Sequence, residues 1–246
     1  MTPPRVVAEP IGGGSLARAV VEGRTPAGWY APRPAGAAAW RAHADATRAH
    51  GKANWLEALV PAFNASGAVA RRLESVAQGR GVVVTTGQQP GLFGGPGYAW
   101  LKALSARALA DRIEQVTGIP AAPVFWAATD DADFDEASWT AVAFDEEVRR
   151  LRIDRQGFDG QVMADQPLGN VGRLLDDLAA AAGSAPHLEI LDHVRRAYRP
   201  SATVGSAYVE LMRALFEPMG IAVLDAWHPA VRAAARPTLV EALRRA

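Results

Sequence analysis

The chain has 246 residues, 49% of them hydrophobic, and its 26 Lys and Arg balance 26 Asp and Glu, so it can bury a substantial core and carries no formal net charge. That balance offers no electrostatic footprint for nucleic acid, and the lack of cysteine excludes disulfides, thiolate metal sites and a nucleophilic Cys. No basic segment followed by an apolar core opens the chain and no run approaches the roughly 18 apolar residues of a bilayer span, so no membrane partner is expected and a cytoplasmic location is the default.

Residues 1 to about 36 are rich in Pro and Gly without sustained periodicity and read as an irregular surface arm. Three helical stretches follow: AAAWRAHADATRAH, then NWLEALVPAF with Asn54 as N-cap, then NASGAVARRLESVAQG running from Asn64 to Gly79. Together they form a helical preface, and an arm plus preface is expected over 1–80 with an α/β core over 81–246. GVVVTTG is a β-branched run closed by Gly87, the form of a strand buried on both faces of a parallel sheet. GPGYAWLKALSARALADRIEQVTG places Pro96 at a helix start, Tyr98, Leu101, Leu104, Ala108 and Ile113 at apolar positions, and Gly118 as the stop. IPAAPVFWAATD is a second buried strand, which completes a βαβ unit and points to a doubly wound α/β sheet.

SWTAVAFDEEVRRLRIDR alternates and predicts a hairpin with its turn at DEE. VGRLLDDLAAAAG carries Val171, Leu174, Leu175 and Leu178 at helical spacing, and a later helix has Tyr208, Leu211, Met212, Leu215 and Met219 on one face. GIAVLDAWHP supplies a third buried strand and PAVRAAARPTLVEALRRA a last helix. That helix has no cap, and the chain is expected to be the N-terminal part of a longer protein.

Ligands of open parallel sheets bind beyond the carboxyl ends of the strands. Two such ends are legible. The first bears Thr85, Thr86, Gly87, Gln88, Gln89, Pro90 and Gly91, and the second bears Ala128 to Glu136 with Asp130, Asp131, Asp133, Asp135 and Glu136. If the two strands are neighbours, a glycine-rich amide cradle faces an acidic loop. The glycine loop matches neither the dinucleotide fingerprint, because Trp100 stands where the third Gly belongs, nor the P-loop, because Leu101 precedes Lys102. Backbone amides at a helix start still favour an anion. Two adjacent glutamines after a buried strand need partners for both ends of each amide.

DADFDE opens like an EF-hand, but Glu136 stands where the loop needs Gly. The acidic loop is open to four readings: a solvated turn with one Asp capping a helix, a binder of amine or sugar hydroxyls, a general base, or a Mg²⁺ ligand. His43, His50, His187, His193 and His228 lack zinc spacing, and only His228, with Asp225, is placed to reach the same cleft.

The segments TGQQPGLFGGPGYAWLKALSARALA and PVFWAATDDADFDEAS resemble the bacillithiol-biosynthesis cysteine ligases of the BshC type, whose matching segments read roughly T-G-Q-Q-x-G-L-F-T-G-P-L-Y with a following Lys, and V-P-V-F-W-I-A-x-E-D-H-D-F-x-E. The resemblance runs from about Gly81 to the end of the chain. It implies a Rossmann-like, mostly parallel sheet with flanking helices, preceded here by the helical N-terminal segment. It also implies a dimerising coiled coil beyond Ala246, hence a homodimer, and joining of cysteine to glucosaminyl malate, an amino-sugar malate conjugate. Carried over by position, Thr86, Gly87, Gln88, Gln89, Gly91, Gly95, Tyr98, Lys102 and Asp130 become the substrate-binding set, and Asp131, Asp133, Asp135 and Glu136 the catalytic acidic wall. No protein-held metal is implied. How the carboxyl is activated is not readable from the residues, and ATP with Mg²⁺ is the candidate cofactor pair. Ala132 stands where the family has His, and Gly94 and Gly97 stand for Thr and Leu. A nucleotidyltransferase-like enzyme with another small substrate, or a catalytically degenerate paralogue, is the alternative.

Overall fold

The structure, a computed structural model, describes residues 14–26, 28–30, 34–51, 54–144, 147–183 and 188–245. The chain divides into two units, Met1–Gly36 and Ala37–Ala246. The described part of the first contains α1 (Ser15–Val21), a short helix in a stretch expected to be irregular, with no buried residue.

The elements that follow are α2 (Gly36–Ala49), α3 (Trp55–Phe63), α4 (Gly67–Gln78), β1 (Val82–Gln88), α5 (Gly97–Thr117), β2 (Ala121–Ala127), α6 (Phe134–Ala137), β3 (Trp139–Phe144), β4 (Glu147–Arg152), α7 (Gly172–Ala182), α8 (Leu188–Ala197), α9 (Val204–Phe216), β5 (Ala222–Asp225) and α10 (Pro229–Arg245). β1, β2 and β5 form a parallel sheet in that order, with helices on both faces, as a Rossmann-like core requires. β2 is central, and successive side chains alternate across its pleat. Ala122 and Val124 pack with Phe63, Val69 and Leu73 of α3 and α4, whereas Phe125 and Ala127 pack with Ala103 of α5 and with Tyr208 and Phe216 of α9. Phe125 is fully buried, and burial of a side chain that size contributes about 1.5–3 kcal/mol.

α3 and α4 therefore cover one face of the sheet and share its core instead of standing apart as a preface. Asn64 does not start α4: it ends α3 in the left-handed region, and Ser66 occupies the N-cap of α4. β1 also departs from expectation. It pairs only with β2 among the described residues, so Val82 is buried while Val83 is 42% exposed.

The helix α5 starts after Pro96 and stops at Gly118 as the sequence predicts, but it turns a different face inward. Ala99, Ala103, Ala106, Ala110 and Ile113 are buried, whereas Tyr98, Leu101 and Leu104 are exposed. Small side chains let the helix lie close on β1 and β2, and bulkier leucines on that face would hold it off.

β3 and β4 make the expected antiparallel hairpin, with Trp139 opposite Arg152 and Phe144 opposite Glu147. Asp145 and Glu146 of its predicted turn lie outside the described residues. α9 begins with a reciprocal cap, in which the Thr203 hydroxyl accepts from Ser206 N and the Ser206 hydroxyl accepts from Thr203 N. Its apolar face then buries Tyr208, Leu211, Met212 and Leu215 as the spacing predicts.

Candidate functional site

β1 and β2 are neighbours, so the glycine-rich loop after β1 and the acidic loop after β2 leave the same end of the sheet. Thr86 is still in the ladder opposite Phe125, and Gly87 lies opposite Trp126. A Cβ on Gly87 would stand 2.6 Å from the Trp126 carbonyl oxygen, so this glycine is required by strand packing. Gly91 meets a similar limit inside the loop, where an added Cβ would stand 2.6 Å from Gly95 Cα. The loop folds back on itself there through a short 3-10 turn over Leu92–Gly94 before α5 begins.

A buried residue anchors this turn from below. Tyr198 is fully enclosed, donates its hydroxyl to Gly91 O at 3.1 Å and packs its ring edge-on against Phe93 at 4.9 Å. Burial pushes its phenol above the ordinary value, which keeps it protonated as a donor. Phe93 itself sits at φ 54, an uncommon conformation for a residue with a side chain, with its ring packed on that of Tyr198. Nothing in the local sequence around Tyr198 marks it for this role.

Above the turn, four side chains form a directed relay. Lys102 Nζ donates to Gln88 Oε1 at 2.9 Å, Gln88 Nε2 donates to Gln89 Oε1 at 2.6 Å, and Gln89 Nε2 donates to Glu136 Oε2 at 3.1 Å. The cation at one end and the carboxylate at the other fix the orientation of both amides between them. Gln88 is 7% exposed, and Tyr98 completes its surroundings with a hydroxyl 3.4 Å from Gln88 Nε2. The paired glutamines thus link the glycine loop to the acidic loop through side chains.

A cleft of about 450 Å³ opens beside this relay, lined by Gln88, Gln89, Gly91, Gly95, Tyr98 and Glu136 together with Trp139, Thr140 and Ala141 of β3. That volume suits a small-molecule ligand. The wall supplied by β3 has no counterpart in the motif reading, because a hairpin strand carries no local sign that it borders a site.

The acidic loop is not one crowded wall. Asp131 Oδ1 accepts from Asp133 N at 2.7 Å, and Asp133 Oδ1 caps α6 by accepting from Glu136 N at 3.0 Å. Asp135 pairs with Arg152 at 2.9 Å on an exposed surface. Asp130 lines a separate cavity with Trp126 and Trp227. Glu136 is the one carboxylate lining the cleft among the described residues. The Asp133 cap explains this sorting: it starts the short α6 at Phe134 and turns Glu136 toward Gln89. Among the described residues no three His, Asp or Glu converge as a metal centre would require.

His228 and Asp225 do not line the cleft either. Asp225 accepts from the Thr129 hydroxyl and from Trp227 N, which ties the ends of β2 and β5 together. His228 Nδ1 accepts from Ala230 N at the start of α10.

A family model for the bacillithiol biosynthesis BshC N-terminal Rossmann-like domain matches residues 28–246. The match thus begins well before Gly81 and takes in the helices α2 to α4. Among curated relatives that carry the name "Putative cysteine ligase BshC", the protein of Solibacter usitatus is 35% identical over 77% of this chain and 36% of its own length. That of Symbiobacterium thermophilum is 32% identical over 66% of this chain and 32% of its own. That of Geobacillus thermodenitrificans is 30% identical over 74% and 34%. The chain spans about a third of the length of these relatives.

Proposed function

Because the chain belongs to the bacillithiol-biosynthesis BshC family, in its N-terminal Rossmann-like domain, we propose that it serves a ligase that joins cysteine to glucosaminyl malate through an amide bond. The amine nitrogen attacks the activated cysteine carboxyl, the C–N bond forms, and the leaving group departs with the electrons of the broken C–O bond. A proton must leave the amine, and in this reading Glu136, which lines the cleft, takes it. The loop amides at Gly91 and Gly95 and the fixed amides of Gln88 and Gln89 hold carboxylate or oxyanion groups. Asp131 and Asp133 shape the loop that presents Glu136, and Asp135 acts with Arg152 at its rim.

The observation that carries this reading is the relay from Lys102 through Gln88 and Gln89 to Glu136 at the cleft. It sets a cation and a base on either side of two rigid amides. Mass spectrometry of the protein with cysteine and glucosaminyl malate, with and without ATP and Mg²⁺, tests it. The condensed product is expected, it requires the activating nucleotide, and Glu136→Gln lowers its rate. No product beside an active relative as control refutes it.

One observation favours a second reading, a catalytically degenerate site. Ala132 stands in the acidic loop where the family resemblance calls for His, and it is exposed. A large gain in turnover for Ala132→His identifies a damaged site, and no gain rejects this reading.

A further inference from the structure

We infer that the edge of β4 left unpaired among the described residues and the first turn of α7 form an additional binding site for a small ligand that carries two or more oxyanion groups. A groove of about 540 Å³ lies there, with Arg149, Arg150, Arg152 and Arg173 in its walls against two carboxylates, Asp154 and Asp177. The protein as a whole is neutral, so this excess of cations is local and not a reflection of a basic chain.

Only Arg152 is engaged by a carboxylate, that of Asp135. Among the described residues, Arg149, Arg150 and Arg173 have none within ion-pair distance. Two of the three are instead held by aromatic faces: Arg149 lies 4.2 Å from the Phe144 ring centroid and Arg150 lies 4.5 Å from that of Trp139. Stacking uses the flat face of a guanidinium and leaves its in-plane N–H groups directed outward, which is the geometry that grips carboxylate or phosphate oxygens. Because the two rings restrain the side chains beforehand, less rotamer freedom is lost when an anion binds.

Alternation along β4 sends Arg149 and Arg150 to opposite faces of the hairpin, so a ligand that meets both must reach around that strand edge. This is why the ligand needs more than one charged group. Across the groove, Arg173 follows Gly172 at the start of α7, whose first turn holds no acidic residue. Asn170 uses its Oδ1 to accept from Gly172 N at 3.0 Å. Beneath them Leu151, Ile153 and Leu168 are buried and give the groove a low-polarity floor. Charge-assisted hydrogen bonds above such a floor are stronger than on an open surface.

Phosphate esters and polycarboxylates share this oxyanion chemistry, so pyrophosphate and succinate are the two probes. Titration at low salt, followed by calorimetry, is expected to give binding that weakens as salt rises. Arg149→Gln combined with Arg173→Gln should weaken it about tenfold or more, because two charge-assisted forks are lost. Lys102→Met, which alters the cleft relay, should leave it unchanged. Thermal melts establish that each variant is folded, and if the double Gln variant is not, Arg149→Lys with Arg173→Lys replaces it, with weakening of several-fold expected from loss of the fork. Tighter binding of one probe assigns the ligand to that oxyanion class. Failure of both probes to bind, equal affinity in the double variant, or loss of binding in Lys102→Met overturns the inference.

Discussion

Lys102→Met and Glu136→Gln, made singly and together, examine whether the relay acts as one unit. The two charged ends never touch; they are joined only through the Gln88 and Gln89 amides at 2.9, 2.6 and 3.1 Å. Met keeps the aliphatic stem over the loop and removes the cation. The Gln88 carbonyl, in a residue only 7% exposed, then loses its strongest partner. A hydrogen bond to a charged group contributes about 1.5–3 kcal/mol, and because Lys102 is itself exposed the expected loss is nearer about 1 kcal/mol. Gln at 136 retains an acceptor without the charge and should cost less. If the amides are polarised along the chain, removing one end weakens what the other end contributes. The double variant should then lose less than the summed single losses, by about 0.5 kcal/mol or more. Urea unfolding of the four proteins at one ionic strength reads this directly, provided they share a common slope. Losses that add to within about 0.3 kcal/mol would mean three separate hydrogen bonds and refute the relay.

Three further substitutions probe what surrounds the site. Gly87→Ala should lower stability by about 2–3 kcal/mol in denaturant unfolding, because its Cβ would stand 2.6 Å from the Trp126 carbonyl oxygen in the paired strand; a loss under about 0.5 kcal/mol would show that β1 can shift. The hydroxyl of fully buried Tyr208 has no hydrogen-bond partner among the described residues, so Tyr208→Phe should raise stability by about 1 kcal/mol, and a lower melting temperature would contradict this. Burial raises the Glu217 carboxyl above its ordinary value of 4.5, against the opposing pull of Arg213. A raised carboxyl contributes stability that is present below the unfolded value and is lost as pH rises through the folded one. Glu217→Gln removes that dependence, so the variant should gain on the native protein as pH rises from about 4 to 7. A constant difference across that range would exclude the effect.

The sequence by itself determined the βαβ order, the helix stop at Gly118 and the two loops that leave one end of the sheet, because these rest on local chemistry: β-branched runs, helix-ending glycine, and amides that demand partners; the strand end it set at Gly87 falls one residue later, at Gln88. The motif residues also carried the family resemblance, although its extent over α2 to α4 was not legible in the diverged helices. The rest was decided by tertiary packing. Whether β1 lies inside or at the edge of the sheet depends on which strand arrives beside it, and its own residues do not encode that. Likewise, alanine and leucine are both apolar by pattern, and only the closeness of the sheet selects the alanine face of α5. The acidic residues looked equivalent along the chain until the Asp133 cap set the direction of α6. That cap leaves Asp131 and Asp133 bound to backbone and brings Glu136 to Gln89. The Tyr198 anchor lies 107 residues from the glycine it holds, and a contact of that range leaves no periodicity or spacing to read.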